Sequence, residues 1–215
     1  SPVDALVVWV SGHDGAVLRS IDGGDSWQAR PVQTLDSLQF RDVHGFDADR
    51  AVILSAGRLT LQKDFVTLIR AFAELTKIRE ARLIILGEGD RRKELLQLVA
   101  QLRLNGSVDL PGFTPNPYAY MAAADLFVLS SRWEGSPNVL TEAMALGTPV
   151  VSTDCPSGPK EILDGGRIAP LVPVGNCEKL AAAMELMLQN PPLPGVMQAA
   201  VREYEVERSA NRYLE

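Results

Sequence analysis

The chain has 215 residues, enough for one or two domains with a buried core. Hydrophobic residues make up 46% and charged residues 22%, the balance of a globular protein rather than a disordered or fibrous one. A net charge of −6 argues against a nucleic-acid binder, although it leaves room for a local basic pocket for phosphates, and no apolar run approaches the ~20 residues of a membrane span.

Residues 1–50 read as short β-strands at Leu6–Val10, Ala16–Ser20, Trp27–Val32 and Leu38–Phe46, each bounded by Gly, Asp or Pro. Between two of them lies Ser20-Ile-Asp-Gly-Gly-Asp-Ser-Trp27, where Asp22-Gly23-Gly24 gives a tight reversal with glycine supplying positive φ. These eight residues, with Gly12-His-Asp-Gly-Ala-Val-Leu-Arg-Ser before them, resemble the Asp-box of sialidase-type β-propeller repeats. The motif is structural in those families and implies no catalysis. It occurs once, and a propeller needs several blades. The segment is therefore expected to be a small antiparallel β fragment of about one blade.

From Ala51 the pattern changes. Val52–Ser55 reads as a strand and Asp64–Arg79 as a helix with Phe65, Leu68, Ile69, Phe72 and Leu75 on one face. Leu83–Leu86 is a continuous apolar strand of the kind buried in a parallel sheet. Then come helix Arg91–Leu102, strand Val108–Leu110, helix Tyr118–Ala123, strand Leu126–Ser130, helix Asn138–Leu146 and strand Pro149–Ser152. Further helices are expected at Pro159–Leu163, Cys177–Gln189 and Val196–Leu214. Alternating strands and helices predict an α/β fold, a doubly wound Rossmann-like parallel sheet with ligands beyond the carboxyl ends of its strands. The two domains expected are thus 1–50 and 51–215, and Asp47–Gly57 reads as the crossover of a fusion.

Several loops of the second unit carry candidate chemistry. Gly57-Arg58-Leu-Thr-Leu-Gln-Lys63 follows the first strand; two cations flanking a helix start suit a phosphate, or belong to a solvated loop. Gly87-Glu88-Gly89 and Pro111-Gly-Phe113 follow the next two strands and are explained equally well as turns. Ser136-Pro137-Asn138 reads as a helix start with Ser136 as N-cap and the amides of Asn138 and Val139 aimed at the sheet mouth, where an anion is stabilised. The same residues describe a well-capped helix, and Glu142 is either a first-turn acid on the helix dipole or a ligand-binding carboxylate. Glu134 lies just before that turn.

Taken in order, Gly57-Arg58-Leu59, Lys63, Gly87-Glu88-Gly89, Gly112-Phe113, the Glu134/Glu142 pair, Gly147-Thr-Pro-Val-Val-Ser-Thr-Asp154 and Gly158-Pro-Lys-Glu-Ile-Leu163 resemble the donor-binding half of family 4 of the retaining nucleotide-sugar glycosyltransferases. The resemblance covers residues 51–215 and implies one half of a GT-B fold. It implies that Arg58 and Lys63 hold the donor diphosphate with the amides of Asn138 and Val139. It implies that Glu142 accepts hydrogen bonds from ribose hydroxyls. It places Glu134, the catalytic candidate, against the donor sugar with Gly135 and Ser136 beside it. The loops Gly87–Gly89 and Gly112–Thr114, Phe113 included, would border the base. The donor is a nucleotide-diphosphate sugar used as substrate, with no permanently bound cofactor and no metal, because cations and amides neutralise the leaving diphosphate.

Such enzymes close a second Rossmann-like domain over the cleft, and residues 1–50 leave no room for it. The expected function is therefore donor binding by a glycosyltransferase (hexosyltransferase) half, with weak transfer by the chain alone; a non-catalytic binding module and a non-functional fusion are the alternatives. The acceptor is expected to be a glycan or a lipid-linked molecule, with a partner supplying the acceptor domain. No signal peptide is visible, and the opening Ser-Pro-Val reads as a trimmed start. Cys155 and Cys177 lack metal or redox spacing and read as idle thiols of a reducing compartment, so a cytoplasmic place, peripheral at the inner membrane face, is expected. His13 and His44 read as turn or surface residues, Trp133 as packing, and Met184 and Met187 as core.

Overall fold

The computed structural model describes the backbone of residues 6–11, 16–20, 28–31 and 46–47, and residues 50–204 in full. Strands β1 (Leu6–Ser11), β2 (Ala16–Ser20), β3 (Gln28–Pro31) and β4 (Phe46–Asp47) form an antiparallel sheet in the order β3-β2-β1-β4. Val8 stands opposite Ser20 and Leu18 opposite Ala29. The turn Asp22-Gly23-Gly24, Trp27, both histidines and most of the expected strand Leu38–Phe46 lie outside the described residues.

The second sheet has six strands, all parallel, in the order β10-β9-β8-β5-β6-β7. They are β5 (Ala51–Ala56), β6 (Ala81–Leu86), β7 (Val108–Gly112), β8 (Leu126–Leu129), β9 (Val150–Thr153) and β10 (Leu171–Val172). The central strands β5 and β8 are buried along nearly their whole length because helices cover both faces, whereas the edge strand β7 alternates buried and less buried positions. The chain winds outward from β5 to β7, returns to β8 on the other side of β5, and winds outward again. The carboxyl ends of β5 and β8 therefore flank the topological switch point, where such sheets bind ligands.

Helix α1 (Phe65–Leu75) buries Phe65, Leu68, Ile69, Phe72 and Leu75, the predicted face. Burying side chains of this size contributes roughly 1.5–3 kcal/mol each. Asp64 caps the helix: its carboxylate accepts from the Thr67 hydroxyl at 2.9 Å and from the Thr67 amide at 3.4 Å. The helix ends at Leu75 rather than Arg79, and Arg79 instead forks onto Glu185 of α6 (Cys177–Gln189) at 2.6 and 2.8 Å. Around the sheet lie α2 (Arg92–Gln101), α3 (Pro117–Ala123), α4 (Asn138–Ala145) and α5 (Pro159–Ile162). Met184 and Met187 are core, as expected.

The sixth strand, β10, is an edge strand of two residues that no apolar run in the sequence marks. The last helix was expected over Val196–Leu214, but α7 spans Pro194–Ala200 and gives way to a 3-10 turn at Arg202–Tyr204; residues 205–215 lie outside the described residues. Proline at the first helical position was the overlooked start signal.

Candidate functional site

Three loops interlock at the carboxyl end of the sheet. Gly57, after β5, donates its N–H to Leu86 O at 2.9 Å, and Gly87, after β6, donates to Gly112 O at 2.8 Å. Leu59 donates to Glu88 O at 2.9 Å, and Arg91 donates back to Leu59 O at 3.1 Å. Gly87 has φ 132°, and a Cβ on it would sit 2.0 Å from the Gly57 carbonyl oxygen. A Cβ on Gly89 would sit 2.4 Å from Leu59 O. Gly87 and Gly89 thus have a structural reason to be glycine: the β5 and β6 loop backbones approach too closely for a side chain. Phe113, just beyond, is 78% exposed on the rim.

Across the switch point, Lys63 and Glu134 meet. Lys63 Nζ lies 2.6 Å from Glu134 Oε1, with side chains 15% and 5% exposed. The Ser131 hydroxyl donates to the same oxygen at 2.5 Å. Gln62 Nε2 reaches the other oxygen, Oε2, only at 3.5 Å and the Trp133 carbonyl at 3.0 Å. The Glu134 backbone is clamped on both sides: its N–H donates to Pro156 O, and its carbonyl accepts from Ser157 N–H, both at 2.8 Å.

Buried hydroxyls at the strand ends hold these loops. Ser130 donates to Lys63 O at 2.7 Å, Thr153 to Ser131 O at 2.6 Å, and Ser55 to Val128 O at 2.6 Å. Gln62, Ser131 and Thr153 were missed by sequence reasoning. Their signal was there in part: Ser55, Ser130-Ser131 and Ser152-Thr153 place hydroxyls at or beside the carboxyl ends of three neighbouring strands. Cys155 is also buried here; burial raises its thiol pKa, with the Glu134 charge adding, while the Thr153 hydrogen bond and Lys63 lower it. Both cysteines are free thiols.

Arg58 is exposed and has no carboxylate partner among the described residues. Trp133 is 47% exposed, so it is rim rather than packing.

The start of α4 differs from the capped turn expected. Pro137 occupies the cap position without a side-chain bond, and the Ser136 hydroxyl turns to the Asn138 side-chain oxygen at 3.2 Å. The Asn138 amide donates to Ser136 O at 2.9 Å and Leu140 to Pro137 O at 2.8 Å. In this structure the Asn138 amide is therefore already used, which the sequence reading did not foresee. Gly158 packs against this turn: a Cβ there would lie 2.7 Å from Pro137 Cδ, whereas one on Gly135 would meet nothing within 4 Å.

Glu142 lies in the second turn of α4, too far along for the first-turn dipole role. Burial raises its pKa above the ordinary carboxylate value, and hydrogen bonding to the Tyr118 hydroxyl partly offsets this. Tyr118, from α3, is raised by its own burial and then by the Glu142 charge. No sequence periodicity links those two residues, which come together only through packing of α3 on α4.

Among the described residues, no group of three or more His, Cys, Asp or Glu side chains is placed to hold a metal, and no helix is long and apolar enough to cross a membrane.

A family model described as glycosyl transferases group 1 matches residues 36–204. An uncharacterized glycosyltransferase of Methanocaldococcus jannaschii is 44% identical over 126 residues, which cover 58% of this chain and 30% of that protein. The N-acetylgalactosamine-N,N'-diacetylbacillosaminyl-diphospho-undecaprenol 4-alpha-N-acetylgalactosaminyltransferase of Campylobacter jejuni is 41% identical over 141 residues, covering 66% of this chain and 38% of that protein. Among solved structures, Anabaena HepE in complex with UDP and glucose superposes with a TM-score of 0.68 and 25% identity over 78% of this chain and 47% of its own. The chain spans less than half the length of these relatives. The match begins at residue 36, inside the segment expected to be propeller-like, and the Asp-box reading draws no support from these comparisons.

Proposed function

This chain belongs to the group 1 glycosyl transferases, and from that premise we propose that residues 51–204 bind a nucleotide-diphosphate sugar at the switch point for retaining transfer of its sugar. The observation that carries this reading is the Lys63–Glu134 pair across the β5 and β8 loops, with Arg58 exposed beside it. A buried pair at a ligand-binding crevice is costly to keep for stability alone.

The division of labour follows from position. Arg58 forks onto the diphosphate. Lys63 has three N–H donors, so it can hold Glu134 Oε1 and a phosphate oxygen together, with Val139 adding an amide. Glu134 faces the sugar beside the open space at Gly135 and Ser136. Glu142, carried on α4, takes the ribose hydroxyls, and the rim at Gly89 and Phe113 borders the base. Cationic side chains supply the neutralisation that a leaving diphosphate needs. HepE, whose structure holds UDP and glucose, supports this class of donor. The Campylobacter relative's name prints a diphospho-undecaprenol-linked acceptor, and an acceptor of the glycan or lipid-linked class would be met by a partner that supplies the acceptor domain. We further propose that residues 1–50 are a separate unit that takes no part in donor binding.

Calorimetric titration of the full chain with uridine, guanosine and adenosine diphosphates and their glucose conjugates tests the reading. At least one pair should bind, and Arg58→Ala should weaken it at least tenfold. Unchanged affinity in Arg58→Ala would return Arg58 to a solvated loop.

A further inference from the structure

We propose that Ser131 is a positioning residue: it fixes Glu134 so that one carboxylate oxygen is anchored and the other is presented to the donor sugar. The inference rests on the reading of Glu134 as the sugar-facing carboxylate and names what makes it work.

The two oxygens of Glu134 are not equivalent. Oε1 receives both strong donors, Lys63 Nζ at 2.6 Å and Ser131 Oγ at 2.5 Å. Oε2 receives only the distant Gln62 amide at 3.5 Å, and that amide is closer to the Trp133 carbonyl, at 3.0 Å. A carboxylate with one saturated oxygen keeps lone pairs on the other for a ligand.

Ser131 suits the anchoring role better than Lys63 does. It is fully buried, its hydroxyl hangs from a short stem, and its own carbonyl is fixed by the Thr153 hydroxyl at 2.6 Å. Lys63 has a long flexible stem, and a phosphate would compete for its ammonium. When donor phosphate draws on Lys63, Ser131 is the donor that stays on Oε1. It therefore holds the carboxylate plane at the moment the sugar needs it.

The test compares a nucleoside diphosphate with its glucose conjugate, taken as whichever pair of the panel binds the unaltered chain most tightly. Ser131→Ala removes one oxygen. It should leave diphosphate affinity within about twofold and lower conjugate affinity about tenfold, the range for groups that orient a ligand-binding residue. Ser131→Cys keeps a donor, though a weaker and somewhat larger one, and should fall between the unaltered chain and Ser131→Ala. In the Glu134→Gln background, Ser131→Ala should cost nothing more, because both act on one contact.

Equal losses for both ligands in Ser131→Ala and Ser131→Cys would reduce Ser131 to a structural hydroxyl and overturn the proposal. So would unchanged conjugate affinity in both variants while Glu134→Gln loses it. If Glu134→Gln itself binds the conjugate normally, the sugar-facing reading of Glu134 falls and takes Ser131 with it. If no pair binds the unaltered chain, the donor site as a whole falls, an outcome distinguishable from the others.

Discussion

Glu134 and Glu142 are the same side chain eight positions apart, and the molecule treats them differently. Glu134 sits on a loop whose backbone is clamped on both sides and whose carboxylate meets a lysine and a serine. Glu142 rides on a helix, half-buried, with a tyrosine hydroxyl near it and no salt-bridging cation among the described residues. An ammonium and a hydroxyl on one oxygen, with the backbone clamped beside them, hold the first carboxylate in place. Burial without a cation leaves the second readier to hold a proton. If both carboxylates serve the proposed donor site, one is built for constant geometry and the other is the readier to take a proton.

Three variants bear hardest on the Glu134 side. Lys63→Ala leaves a carboxylate 5% exposed without its cation. Breaking a buried pair from one side costs about 3–5 kcal/mol, which should appear as a large drop in melting temperature. Glu134→Gln should cost less, since a neutral amide can still accept from Lys63 and Ser131. A Lys63→Met/Glu134→Leu double variant should recover most of the loss. If Lys63→Ala melts with the parent chain, the pair is screened by solvent and the contrast with Glu142 disappears.

Arg58→Ala comes next. It should leave the melting temperature unchanged, since Arg58 is exposed, yet cost roughly 1.5–3 kcal/mol of nucleoside diphosphate affinity. This separates binding cations from structural ones: Lys63 affects both quantities and Arg58 only one.

Swapping amide for acid at each position then tests the division directly. Glu142→Gln should weaken any nucleoside diphosphate that carries ribose hydroxyls, by about 1 kcal/mol for a hydrogen bond that loses its charge. Glu134→Gln should spare the diphosphate and weaken only the sugar conjugate. Equal effects on the plain diphosphate would erase the distinction.

How far the sequence could reveal this follows from which contacts are local. Strand runs such as Leu83–Leu86 and the α1 face from Phe65 to Leu75 were legible because periodicity is a local property. The order of motifs placed Glu134 and Lys63 in one site. What stayed hidden depends on geometry between distant segments. Ser136 looked like a cap, yet its hydroxyl turns to Asn138 and Pro137 takes the cap position. Gly87 looked like a turn residue beside a ligand, and its glycine is required by the Gly57 carbonyl. Tyr118 could not be tied to Glu142 before α3 was seen against α4. The two-residue strand β10 carries too few residues for any pattern to register.

The smallest effect concerns pH. Burial raises the Glu142 carboxyl above its ordinary value, so the folded chain holds that proton more tightly than the unfolded chain does. A raised folded pKa contributes stability that is fully present below the ordinary carboxylate value and is lost as pH rises through the folded value. Glu142→Gln cannot titrate, so its melting temperature should gain on the parent chain as pH climbs through that window. Tyr118→Phe removes the hydroxyl that favours the charged form; the Glu142 value should move higher, and the loss of stability should extend to higher pH. Donor binding runs the opposite way. If the ribose contact needs the ionised carboxylate, diphosphate affinity should fall on acidification at a higher pH than for an ordinary carboxylate, and should lose that step in Glu142→Gln. The stability effect is modest because the side chain is only half-buried and solvent screens it. Parallel melting and titration series from acid to neutral pH would decide it. Identical pH profiles for the parent chain and Glu142→Gln in both series would mean that Glu142 titrates normally, leaving position alone to distinguish the two carboxylates.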